Sequence, residues 1–121
     1  MEFSSTAALE FLYRVTKTML GQDDADLTAR QLALLLHVYL TPPPHTVRGL
    51  AASLGMSKPA VSRALDRLGR SDLLRRRRDE ADRRSVLVQR TVKGAVLLRD
   101  LGDRAAQIAA DVQPAAGPGP G

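Results

Sequence analysis

The residues of this chain best suited to chemistry are cations. Eighteen Lys and Arg stand against thirteen Asp and Glu, a formal net charge of +5, and the excess is local: positions 58–90 hold eleven basic residues and five acidic ones. Lys58, Pro59, Ser62, Arg63 and Arg67 recur along one short segment. Arg75, Arg76, Arg77 and Arg78 are consecutive, and Arg83 and Arg84 follow the acids Asp79, Glu80 and Asp82. Guanidinium forks and short hydroxyls bind acceptors, so such a set can neutralise phosphates and read base edges. The plain alternative is a solvated basic face. Clustering around one helical motif favours a nucleic-acid partner over it.

Other chemistries lack their residues. The chain has no cysteine, which excludes disulfides, thiolate metal sites and thiol redox sensing. His37 and His45 have no metal-binding spacing, and His37 lies in an apolar run that reads as packed helix. Asp79, Glu80 and Asp82 lack the spaced oxygen ligands and turn glycine of a calcium loop, so pairing with Arg83 and Arg84 is the expected role. No G-x-S-x-G, phosphate-binding glycine loop or clustered His and carboxylate set is present; neither an enzyme nor a cofactor is expected. No apolar run reaches the length of a membrane span and the N-terminus does not resemble a signal peptide, so a cytoplasmic protein with no membrane partner is expected.

The cations must be positioned by helices, because the core has to be built from Leu, Val and Ala, with only two Phe, two Tyr and no Trp. Residues 47–68, VRGLAASLGMSKPAVSRALDRL, read as two short helices and a tight turn. Val47, Leu50, Ala51 and Leu54 make one apolar face. Gly55 can take the left-handed conformation of a helix cap. Ser57 can cap the second helix and Pro59 fits its first turn. Val61, Ala64, Leu65 and Leu68 form the buried stripe, leaving Lys58, Pro59, Ser62, Arg63 and Arg67 more outward. Ala51 is small where the helices must cross, Gly55 lies in the turn and Val61 locks the second helix. A merely structural hairpin can show any one of these features, whereas all three in register point to a helix-turn-helix.

Elsewhere the pattern is also mostly α, with a small β-hairpin. Residues 5–20 read as an amphipathic helix carrying Leu9, Leu12, Val15, Thr16 and Met19 on one stripe with Phe11 beside it, followed by the polar break GQDDAD. Thr28 and Gln31 form a capping-box pattern ahead of LALLLHVYL, a helix over residues 28–40 that the prolines of TPPP stop. Thr46 can cap the helix after it. Residues 73–78 and 85–90 read as two strands around a charged tip, and four consecutive arginines on the first require an edge position beside water or phosphate. Thr91 caps a last helix in which Leu98, Leu101, Ala105, Ile108 and Val112 form a narrow seam. By itself that seam fits either the chain's own core or a second subunit. Residues 113–121, QPAAGPGPG, read as a disordered tail.

Taken together, LAASLGMSKPAVSRALDRL (residues 50–68), LLRRRRDEADRRSVLV (residues 73–88) and TVKG (residues 91–94) resemble the MarR family of winged-helix transcriptional regulators. The D-x-R at the hairpin tip, followed by an apolar strand and T-x-x-G, is specific to that family. The resemblance implies a winged helix-turn-helix over residues 27–91, with dimerisation helices flanking it over residues 1–26 and 92–112. It implies a homodimer on double-stranded DNA at a pseudo-palindromic operator, with repression as the expected outcome. Ser57, Lys58, Pro59, Ser62, Arg63 and Arg67 would form the recognition-helix contacts. Arg84 would enter the minor groove oriented by Asp82, with Arg83 beside it and Arg75, Arg76, Arg77 and Arg78 on phosphates. Leu9, Leu12, Met19, Leu101, Ile108 and Val112 would dimerise.

This chain departs from the family at Asp72, where members carry glycine, and in its short C-terminal helix. A small-molecule effector between the domain and the terminal helices fits the composition, and no residue identifies it. The competing expectations are a winged helix that binds an acidic protein and an architectural module that binds DNA without sequence preference.

Overall fold

Thr28 starts the central helix of the protein. In the computed structural model, which describes residues 3–112, its hydroxyl accepts from the Gln31 N–H at 3.2 Å and the Gln31 side chain accepts from the Thr28 N–H at 3.0 Å, the reciprocal pair expected from the sequence. The helix, α2 (Ala29–Leu40), buries Leu34, Leu35 and Val38. It belongs to one of two compact units, Leu27–Leu98. The elements that follow in this unit are β1 (His45–Thr46), α3 (Val47–Leu54), α4 (Lys58–Arg70), β2 (Leu74–Arg78), β3 (Val86–Arg90) and the first part of α5 (Val92–Val112).

The core of this unit is aliphatic. The residues from α2 meet Leu50 and Ala51 of α3, Val61, Ala64, Leu65 and Leu68 of α4, Leu73, Leu74 and Val88. Each large side chain taken from water contributes about 1.5–3 kcal/mol. Leu68 and Leu73 are fully buried at the end of α4, and the Leu73 N–H bonds the Leu68 carbonyl at 2.8 Å, so Leu73 belongs to the turn rather than to the strand expected over residues 73–78.

The sheet has one strand more than the hairpin expected from sequence. β1 pairs antiparallel with β3 through His45–Val88 and Thr46–Leu87, giving the order β1-β3-β2. Two residues are too few for an alternating pattern, which is why the sequence did not announce β1. The arginine strand β2 is at an edge, as expected, paired to β3 from Leu74–Arg90 to Arg78–Val86.

Polar ties hold the sheet to the helices. The Tyr39 hydroxyl lies 3.1 Å from the Leu73 carbonyl and 2.9 Å from the Thr91 carbonyl, and accepts from the Thr91 N–H at 2.9 Å. The Arg90 guanidinium lies over the Tyr39 ring, 5.7 Å from its centroid, and donates to the carbonyls of Val38 and Thr41, at the C-terminal end of α2 where carbonyls lack helical partners. Thr91 caps α5 by accepting from the Gly94 N–H at 2.9 Å. Gly94 is required here by close approach: a Cβ would run into the Tyr39 hydroxyl and the Leu73 carbonyl.

The second unit takes its described residues from the two ends of the chain, 3–26 and 99–112. It contains α1 (Ser5–Met19), capped by Ser4, and the remainder of α5. An ion pair of 3.5 Å joins Arg14 to Asp111. The stripe expected on α1 is rotated. Ala7, Ala8, Phe11, Arg14, Val15, Thr18 and Met19 are the covered residues, whereas Leu9, Leu12, Tyr13 and Thr16 are exposed. Apolar residues lie around more than half of this helix, so helical spacing fits two stripes, and packing selects the one led by Phe11. On α5, Leu101, Ala105 and Val112 are half-buried and Ile108 is buried, so the expected seam is its covered face. The tail expected over residues 113–121 lies outside the described residues.

Candidate nucleic-acid interface

The interface begins at Gly55. With φ 63° and ψ 35° it closes α3 in the left-handed conformation, and the N–H groups of Gly55 and Met56 both return to the Ala51 carbonyl. Ser57 then caps α4 by accepting from the Ala60 N–H at 3.2 Å, with Pro59 in the first turn. Val61, Ala64, Leu65 and Leu68 face the core. Helical geometry therefore puts Pro59, Arg63, Asp66 and Arg70 on the opposite line, and all four are exposed. Ser57 and Lys58 are also exposed, while Ser62 and Arg67 are half-buried on the flanks.

The hairpin tip is organised by Asp82. Its Oδ1 accepts from the Arg84 N–H at 3.1 Å and lies 3.8 Å from the Arg84 Nε, while Oδ2 accepts from the Ser85 hydroxyl at 3.3 Å. Asp79 folds the other side of the tip by accepting from the Ala81 N–H at 3.0 Å. The side chain of Arg84 is 92% exposed, so its carboxylate partner fixes its base and leaves the guanidinium open to solvent.

The sites named from sequence fall into separate places. Lys58 and Ser62 of α4 meet Arg76 of β2 and Arg84 of the tip in one groove of about 190 Å³. Arg63 lies across the helix in a groove of about 170 Å³ with Thr28, Arg30 and Gln31. The four consecutive arginines divide by strand alternation. Arg76 and Arg78 share the face of buried Leu74, and Arg76 pairs with Asp66 on α4. Arg75 and Arg77 lie on the other face, 3.6 Å from Asp72 and 3.9 Å from Glu80. Arg83 is exposed near the tip. Arg67 donates to the Ser71 hydroxyl at 2.6 Å, which turns it toward the end of its own helix.

Three residues that sequence reasoning left out belong to this surface. Arg48 of α3 lines the groove of Lys58 and Arg84, and Arg30 of α2 lines that of Arg63. Their one signal was a position off the apolar stripes of their helices. Asp66 carried a signal too, as the acid among the outward positions of α4. Among the described residues, no three His, Cys, Asp or Glu side chains are grouped to hold a metal. No helix among them is long and apolar enough to cross a membrane.

A helix-turn-helix followed by a basic two-stranded hairpin, with the second helix and the hairpin tip lining one cationic groove, defines a winged helix-turn-helix. The sequence profile of the MarR family matches residues 25–85. Solved structures agree: the chain resembles a MarR transcriptional regulator from Methanosarcina mazei Go1, with 28% identity, 85% of this chain and 75% of that one covered and a TM-score of 0.62. It resembles the PcaV transcriptional regulator from Streptomyces coelicolor in complex with its natural ligand, with 27% identity over 86% and 71% of the two chains and a TM-score of 0.64. A mutant of S. aureus MepR bound to an oligodeoxyribonucleotide shares the fold, at 22% identity over 95% and 87% and a TM-score of 0.71. No curated protein matches the chain by sequence. The protein belongs to the MarR family of transcriptional regulators.

Proposed function

We propose that the protein is a cytoplasmic repressor that binds a pseudo-palindromic operator as a homodimer and reads its sequence through α4. The observation that carries this reading is the shared groove of Lys58, Ser62, Arg76 and Arg84, in which the second helix of the helix-turn-helix and the wing tip present cations to one side. A helix of about 10–12 Å diameter fits a major groove about 12 Å wide, which brings a wing beside it to the adjacent backbone and minor groove.

The residues have distinct parts in this reading. Arg63 is exposed on the outward line of α4, and its planar fork suits guanine O6 and N7. Arg84 is drawn to the negative potential of a narrow minor groove. Lys58, Arg78 and Arg83, with Arg48 and Arg30, supply phosphate contacts that add affinity without sequence information. The dimer forms through the terminal helices, where Leu9 and Leu12 are 66% and 55% exposed. A bound operator is then closed to other proteins, which is repression by occupancy. The ligand held by PcaV supports a small-molecule effector here as well, of undefined chemistry.

The experiment is selection of bound sequences from a random duplex library at near-physiological salt. An inverted repeat with half-sites about 10 bp apart centre to centre, or a multiple of that, is the expected result. A single half-site removes the symmetric dimer. Binding without enrichment moves the protein to the architectural class, and no binding to any duplex moves it to a protein-interaction module.

A further inference from the structure

Asp66 is the one acid in α4, and it stands on the outward line with Pro59, Arg63 and Arg70. Left to itself it would bring a negative charge to the face offered to DNA. Arg76 meets it: Arg76 Nη2 contacts Asp66 Oδ1. The register explains why this arginine and not its neighbours does so. Arg76 is opposite buried Val88 on β3, so its side chain leaves the strand on the face of α4, whereas Arg75 and Arg77 leave on the other. The ion pairs Arg75–Asp72, Arg77–Glu80 and Arg84–Asp82 stay within the hairpin and its base. Asp66–Arg76 spans from α4 to β2.

We infer that Arg76 is a positioning residue: its ion pair with Asp66 latches the wing to the recognition helix and masks that helix's acid from the phosphates of a bound duplex. The inference rests on the DNA reading proposed above. Both partners are partly exposed, with side-chain accessibilities of 40% and 54%, so the pair contributes little to global stability. Its consequence is for the placement of the wing and for the charge that α4 presents. The four consecutive arginines are therefore not equivalent, and Arg76 does not belong with the phosphate contacts.

The test is a double-mutant cycle of Arg76→Gln and Asp66→Asn on the full chain, read by titration of a fluorescein-labelled duplex of random sequence at low salt. Arg76→Gln weakens binding about tenfold when Asp66 is present and no more than about twofold when Asp66 is Asn. An equal loss in both backgrounds overturns the proposal, because it assigns Arg76 directly to phosphate. Hydrogen exchange of the free protein tests the latch separately. Each single variant raises exchange in residues 74–78 and 86–90 by about two- to fivefold, and the double variant adds nothing further. Unchanged exchange in both single variants overturns the latch. Failure of the wild-type protein to bind any duplex overturns the DNA reading and the masking role with it, while the exchange result still decides whether the latch exists.

Discussion

The hydroxyl of Thr91 donates a 2.6 Å hydrogen bond to the carbonyl of Asp72, joining the residue that caps α5 to the left-handed residue that opens the wing. Asp72 has φ 57°, in the left-handed region that favours glycine. A short polar side chain tolerates this conformation better than most, yet it costs roughly 1–2 kcal/mol relative to right-handed backbone. Asp72→Ala should therefore destabilise the protein by about 1 kcal/mol in urea unfolding, and Asp72→Gly should stay within about 0.5 kcal/mol of wild type. Equal losses for the two variants would show that the carboxylate, which also faces Arg75 at 3.6 Å, matters more than the backbone.

Gly94 makes a different demand. The space for its missing Cβ is already filled by the Tyr39 hydroxyl and the Leu73 carbonyl, the groups that tie α2, the wing and α5 together. Gly94→Ala gains helix propensity but forces these groups apart, and overpacking of this kind costs about 1–3 kcal/mol. Thermal unfolding should show a clear fall in midpoint. Gly102, with open space where a Cβ would stand, is the control: Gly102→Ala should raise stability by up to about 1 kcal/mol through helix propensity. A harmless Gly94→Ala would mean that the Tyr39 bonds are not needed to hold α5.

These cases show what was legible in the sequence. Gly55, Ser57, Thr28 with Gln31, and Thr91 fix helix ends through groups only a few residues away, so their roles follow from local chemistry, and the structure has each of them in place. The edge position of the arginine strand was also legible, because a strand polar on both faces has nowhere else to go. What the sequence hides is contact across the chain. The pairing of β1 with β3 joins residues about forty apart. The rotation of α1 is a choice between two stripes of equal spacing. The partners of Arg67 and Arg76 depend on how α4, its terminal turn and β2 come together.

The two outer arginines of the interface should separate by what they read. Arg63→Ala should narrow the affinity gap between the selected operator and random duplex by about 1–3 kcal/mol, the value of one bidentate base contact. Arg78→Gln should instead weaken binding to every duplex alike and flatten the dependence of log K on log salt by about 0.9. Binding titrations at several salt concentrations measure both. An Arg63→Ala variant that loses operator and random duplex equally would move Arg63 to the phosphates and leave base reading to Ser62.

The last prediction concerns the exposed face of α1. Leu9 and Leu12 lie on the side of α1 that the described residues leave uncovered, together with Tyr13, whereas Met19 and Ile108, also expected to dimerise, are buried and belong to the chain's own terminal unit. Leu101 and Val112, the other two, are half-buried, so the six residues fall into three pairs. Leu9→Glu with Leu12→Glu should convert the proposed dimer into a monomer in sedimentation velocity at micromolar concentration, with the fold intact, because replacing exposed side chains changes stability by only about 0.5 kcal/mol each. Met19→Ala should instead lower the unfolding midpoint, since it opens a cavity worth about 2–5 kcal/mol, while leaving the folded protein associated. A dimer that survives both charges on α1 would place the interface on a surface other than this stripe.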